Sequence, residues 1–163
     1  MQQFVLYNWG SLASVAGLVV AGVSAYFARS AAKAAAQARD VVLVSTLAED
    51  INVAQILAQE IITLAVHQSH ALVRLRCDDL LGRTLTILNR WDQKLSLSSK
   101  ENLAAAREQL ETLRSASLKL ALNPALPTPK QLSAMQERCG RIRDIFTEEH
   151  ASAMRRNDEA NNV

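Results

Sequence analysis

The chain has 163 residues, 49% of them hydrophobic, and a formal net charge of +2. So small a charge argues against a dedicated nucleic-acid binder, which would normally be more basic. Five glycines, three prolines and 4% aromatic residues argue against sheets and nucleotide-cradling loops and in favour of long helices.

In chain order, the first charged side chain is Arg29, and Trp9 to Phe27 is one continuous apolar stretch. As a helix it covers roughly 28 Å, close to the ~30 Å hydrocarbon core of a bilayer. A soluble core helix seldom runs so far without a charge. A cleaved signal peptide would need a basic start, which Met1-Gln2-Gln3 lacks. We therefore expect a retained single-pass anchor over residues 1–28. Tyr7 and Trp9 would mark one interface, and Tyr26, Phe27, Arg29 and Lys33 the other. Arg29, Lys33 and Arg39 all follow the span, so the positive-inside rule puts the N-terminus outside and the rest of the chain in the cytoplasm.

Ala13, Gly17, Ala21 and Ala25 recur at every fourth position, and Gly10 with Ser14 adds a second small pair on an adjacent face. Small residues let two backbones approach closely in lipid, where the hydrophobic effect gives no help. This stripe is the expected contact face of a homo-oligomer.

From Ser24 to Leu81 there is neither glycine nor proline. The run SAAKAAAQ from Ser30 to Gln37 is strongly helix-forming, so residues 29–40 should carry the helix into the cytoplasm. Residues 41–156 then read as a helical body. Leu57, Ile61, Leu64 and Ala65 share one face, with Ile56 and Ile62 off it. Leu81, Leu85, Leu88 and Leu95 form a second stripe, with Ile87 and Trp91 beside it. Ser98 and Glu101 have capping-box spacing and announce a new helix. Its seam runs through Leu103, Ala106, Leu110, Leu113, Ser117 and Leu120. Asn123-Pro124-Ala125-Leu126-Pro127 ends that helix. Thr128 caps the next, with Pro129 at its first position. Leu132, Met135, Cys139, Ile142, Phe146 and Ala153 line the last helix, which Gly140 weakens without ending. Residues 157–163 are too polar to pack and read as disordered.

The expected fold is all-α: a transmembrane helix continuing into a long cytoplasmic helix, with a helical hairpin or bundle of three to four helices. Segments 40–66, 69–95, 99–122 and 129–156 have the lengths of an antiparallel four-helix bundle. That alternative needs a turn near His67–His70, where no glycine or proline is offered. The preferred reading is one helix to about Leu95, kinked at 67–70 or at Gly82, with the last two helices folded back on it.

Chemistry is sparse. His67 and His70 lie three apart, but no Glu or Cys joins them at a metal-ligand spacing. Cys77 and Cys139 have neither CxxC nor zinc spacing and read as reduced packing residues. Asp78 and Asp79 follow Arg74 and Arg76, a spacing that gives helix-surface ion pairs rather than a catalytic carboxylate pair. No phosphate-loop, nucleophile-elbow, zincin or dinucleotide motif occurs. No enzyme, cofactor or metal is expected. The arginines Arg74, Arg76, Arg138, Arg141 and Arg143 are candidate contacts for an anion or an acidic partner, with Glu137, Asp144, Glu148 and Glu149 expected to neutralise part of that charge.

The stretch WGSLASVAGLVVAGVSAYFARSAAKAAAQAR, from Trp9 to Arg39, resembles the anchors of small bacterial single-pass membrane proteins. In these a Trp-Gly-x-x-Ala-Ser-x-x-Gly start leads into an Ala-rich, basic juxtamembrane helix. Some of them are encoded beside phage-defence or nucleotide-signalling genes. The resemblance covers the first quarter of the chain and implies the bacterial inner membrane and a defence role. It assigns no binding or catalytic residue.

Three functions fit these features. The leading one is a membrane-anchored helical interaction protein that self-associates and offers its cytoplasmic helices to another protein. The second is a membrane-perturbing effector in which Asn8, Ser11, Ser14 and Ser24 face a pore or a helix interface. The third is a spanin-like lysis protein, which would reverse the inferred orientation.

Overall fold

The structure is a computed structural model that describes residues 2–123 and 127–161, with side chains described from Ser14 to Glu159 within that range. It contains four α-helices: α1 Gln2–Val66, α2 His70–Arg90, α3 Leu97–Leu122 and α4 Pro129–Asn161. No strand occurs among the described residues. The chain divides into two compact units, Met1–Val42 and Leu43–Val163. The first is helical throughout its described length, and nearly all of its described side chains are exposed.

Helix α1 stops at Val66, so the continuous helix to about Leu95 does not form. Gln68 adopts a left-handed φ of 56°. The Ser69 N–H donates to the Leu64 carbonyl at 3.0 Å and the Gln68 N–H to the Ala65 carbonyl at 3.1 Å. This pair of bonds is a Schellman motif, built with glutamine where glycine is usual. A left-handed non-glycine residue costs roughly 1–2 kcal/mol, which the packing of α2 against α1 must outweigh. Gly82, the other suspected kink, lies inside an unbroken α2.

Polar contacts give the direction of each helix in the second unit. Arg76 meets Glu60 at 3.0 Å, and Trp91 meets Asp50 at 2.9 Å, so α2 runs antiparallel to α1. Asp78 pairs with Arg114, and Asp92 with Lys100 at 2.7 Å, which sets α3 antiparallel to α2. Arg138 donates to Gln109 at 3.1 Å and Asn102 to Glu149 at 2.8 Å, reversing the chain again into α4. Gln55 donates to Thr147 at 3.3 Å, joining α4 to α1.

All four helices supply one core. In α1 the buried seam is Leu47, Ile51, Ala54, Ala58, Ile61 and Ala65, a 3-4 repeat in which half the members are alanine. Such small residues allow close helix approach, while the large ones fully buried, Phe146 and Leu110 among them, each contribute roughly 1.5–3 kcal/mol. The seams expected for α3 and α4 are buried, except that Leu120 and Leu132 are half-buried. Of the stripe expected for α2, Leu81 and Leu95 are buried, as are Ile87 and Trp91 beside it, and Leu88 is half-buried. Val73, Cys77, Leu80, Thr84, Ile87 and Trp91 face the core while Leu85 is exposed. Thr84 takes an interior place because its hydroxyl donates to the Leu80 carbonyl at 2.7 Å, which removes most of the cost of burying it.

Two helix ends also differ from expectation. The cap of α3 is Ser96, not Ser98, and its hydroxyl accepts the Ser99 N–H at 3.0 Å. At α4, Thr128 and Gln131 form the expected type of reciprocal cap: the Gln131 N–H donates to the Thr128 hydroxyl at 3.3 Å and the Thr128 N–H to Gln131 Oε1 at 2.8 Å. Residues 157–161, expected to be disordered, continue α4. Arg156 ties this last stretch down by donating to the Lys94 carbonyl at 3.1 Å. Pro124, Ala125, Leu126, Asn162 and Val163 lie outside the described residues.

Replacing Gln68 with glycine removes the left-handed penalty and leaves the backbone bonds in place. Gln68→Gly should raise stability by about 1 kcal/mol, and Gln68→Val should lower it by at least as much. Thermal unfolding of the detergent-solubilised protein, followed by circular dichroism, checks both. A destabilised glycine variant would contradict the turn described here.

Candidate interaction surfaces

The first candidate surface is the apolar part of α1. This is the one described helix long and apolar enough to cross a membrane. Val15, Leu18, Val19, Val20 and Val23 are all exposed, as the side chains of a lipid-facing helix would be. Ser14, Gly17, Ala21 and Ala25 are exposed as well. A Cβ built on Gly17 meets no atom within 4 Å, so this face is unfilled within the single chain. Tyr26 and Phe27 are exposed and meet edge-to-face, with ring centroids 5.9 Å apart. Arg29 and Lys33 are exposed too. The side chains of Tyr7, Trp9, Gly10 and Ala13 lie outside the described residues.

Asp50 was not singled out by the sequence, yet it is the polar centre of the α1–α2 contact. Its side chain is 21% exposed. Its Oδ2 accepts the Trp91 indole N–H at 2.9 Å, and the Arg83 and Arg90 guanidinium groups stand at 3.6 and 3.7 Å. The Arg90 guanidinium lies 4.9 Å from the Trp91 ring centroid, within cation–π range. Both arginines are substantially exposed, so their ion pairs contribute little each. The indole bond matters most, because Trp91 is buried and an unpaired buried N–H costs about 1–3 kcal/mol.

The candidate arginines do not converge on one site. Arg76 is held by Glu60 and Asp79. Arg141 pairs with Glu137 and Arg143 with Asp144 on α4 itself. Arg74 is exposed on α2. Arg138 is different: its described partner is the neutral Gln109 amide. Glu149, grouped with the neutralising acids, is no surface residue at all. It is 3% exposed, sits in the buried seam of α4 and accepts the Asn102 amide at 2.8 Å through Oε1.

His67 is exposed in the turn and His70 opens α2. Among the described residues no group of His, Cys, Asp and Glu is placed to hold a metal. Cys77 and Cys139 are free and buried. Burial, then the neighbouring Cys139 and Asp78, push the Cys77 thiol up to about 12 against the partial opposition of Arg114. Burial raises Cys139 to about 11. Both stay protonated thiols at neutral pH, the inert form.

Two consequences can be measured. Asp50→Ala strands the indole N–H and should cost about 1–3 kcal/mol, whereas Asp50→Asn keeps an acceptor and should cost less than half as much; chemical denaturation ranks the two. For the cysteines, the folded thiols ionise at higher pH than unfolded ones, so the unfolded chain holds fewer protons above pH ~9 and gains in relative stability. Stability should therefore fall as pH rises from about 9 towards 12, and a Cys77→Ala/Cys139→Ala variant should show a flatter decline. The chain matches no known family model, no curated protein and no solved structure.

Proposed function

We propose that the protein is a single-pass bacterial inner-membrane protein without enzymatic activity. Its N-terminus lies outside and its helical body, an antiparallel four-helix bundle, lies in the cytoplasm. It self-associates through the face bearing Ser14, Gly17, Ala21 and Ala25, and it presents the bundle to another protein, with phage defence or signalling as the setting.

The observation that carries this reading is the exposed apolar stretch of α1 through Val15, Leu18, Val19, Val20, Val23, Tyr26 and Phe27. In lipid, close packing is the main force available to such a helix, and a small-residue face is the place where it acts. Ion pairs run between and along the helices of the bundle. The orientation rests on Arg29, Lys33 and Arg39 following the span.

Gly17→Leu tests the reading cleanly, since a side chain there has room in the single chain. Energy transfer between labelled copies in liposomes should fall at least about tenfold in apparent association constant, a loss of ~1.4 kcal/mol. Unchanged transfer, or none in the wild type, would remove the proposed interface. A reporter fused after Val163 should be active only in the cytoplasm.

A further inference from the structure

The longest stretch after Glu49 without an acidic residue is 112–136, which contains Arg114, Lys119 and Lys130 but no Asp or Glu. It forms the end of α3 and the start of α4. Arg114 is engaged by Asp78 of α2. Among the described residues no carboxylate pairs with Lys119, Lys130 or Arg138, unlike most other arginines of the bundle.

Lys119 and Arg138 line a groove of about 330 Å³ between α3 and α4. Its apolar lining is the buried Met135, the half-buried Ala116 and Leu120 and the exposed Ala134, with Lys119 and Arg138 beside them. Facing alanines leave the space between the two helices open. A floor recessed between two antiparallel helices accepts the ridge of a third helix, the groove-docking mode in which apolar anchors recur at i, i+3, i+4 and i+7.

We propose that the α3–α4 groove is the docking site for an amphipathic helix of a separate protein, whose apolar stripe is flanked by Asp and Glu. Leu or Ile anchors fill the space over Ala116 and Ala134, and the flanking carboxylates pair with Lys119 and Arg138, with Lys130 adding attraction. This proposal rests on the reading of the bundle as a partner-presenting unit and names the surface and the partner's chemistry. It does not depend on association between anchors.

The test uses the full chain at one copy per zwitterionic nanodisc and two fluorescent synthetic helices with the same leucine stripe, one flanked by Glu and one by Lys. By fluorescence anisotropy the Glu-flanked helix should bind at least about tenfold more tightly than the Lys-flanked one, weaken as salt is raised, and lose at least about tenfold in affinity in Lys119→Glu/Arg138→Glu. Ala134→Phe, which fills the groove and leaves the charges, should weaken it as well; circular dichroism verifies that both variants fold. Equal binding of the two helices, no binding of either, or binding unchanged in the charge-reversed variant would each overturn the proposal. So would a charge-dependent attachment to phosphatidylglycerol vesicles with no helix binding, or disc-to-disc association abolished by the same variant. Because single-copy discs have no anchor contacts, loss of helix binding and loss of anchor association are separate results.

Discussion

The second unit depends on one buried polar contact, the Trp91 indole bonded to Asp50 across 2.9 Å. Trp91 follows the last residue of α2, and Asp50 lies in α1 sixteen residues before its end. Joining them fixes how far α2 slides along α1, and with it the register of every side chain between. The turn at Gln68 permits the reversal at a cost, and the Asp50 contact holds it in a single alignment. A polar pair within an apolar interface acts in this way because any slipped register leaves the N–H or the carboxylate buried and unpaired. Glu149 and Asn102 place a second polar pair of the same kind between α3 and α4.

The body that results is economical in large side chains. Alanines line half of the α1 seam, so the helices can approach closely and the few large residues, such as Phe146 and Leu110, fill the remaining space. The charged residues mostly close on each other across or along helices. Against this background two surfaces stand out by what they leave open: the small-residue face of α1, and the groove over Ala116 and Ala134 with its unneutralised cations. One is suited to a neighbour in lipid and the other to a neighbour in water. On the proposed reading, this pair of surfaces connects events at a membrane with a partner.

Much of the helical content was legible in the sequence, because 3-4 spacing, proline at the start of a helix and the Thr128 cap are local signals. The seams of α3 and α4 follow directly from them. The reversal after Val66 was legible only as the alternative with a turn near His67–His70, since its signature is usually glycine and here a glutamine takes the left-handed position. The face of α2 was legible in Leu81, Ile87, Trp91 and Leu95, but Thr84 was missed because it counts as polar in the pattern while it satisfies its hydroxyl on its own helix. Asp50 and Glu149 looked like ordinary surface acids; only their partners on distant segments, Trp91 and Asn102, give them interior places. The groove could be anticipated only in part, as the absence of acids from 112–136 is visible in the sequence but the pairing of α3 with α4 is not.

The central claim is that the apolar part of α1 lies in lipid while the helical body faces the cytoplasm. Single cysteines introduced along residues 14–39 and probed in cells with a membrane-impermeant maleimide test it most directly, because the native thiols are buried and give little background. Positions 14–27 should stay unlabelled in intact and permeabilised cells alike, and positions 33–39 should label only after permeabilisation. Even labelling along the whole stretch, or labelling of 33–39 in intact cells, would contradict it.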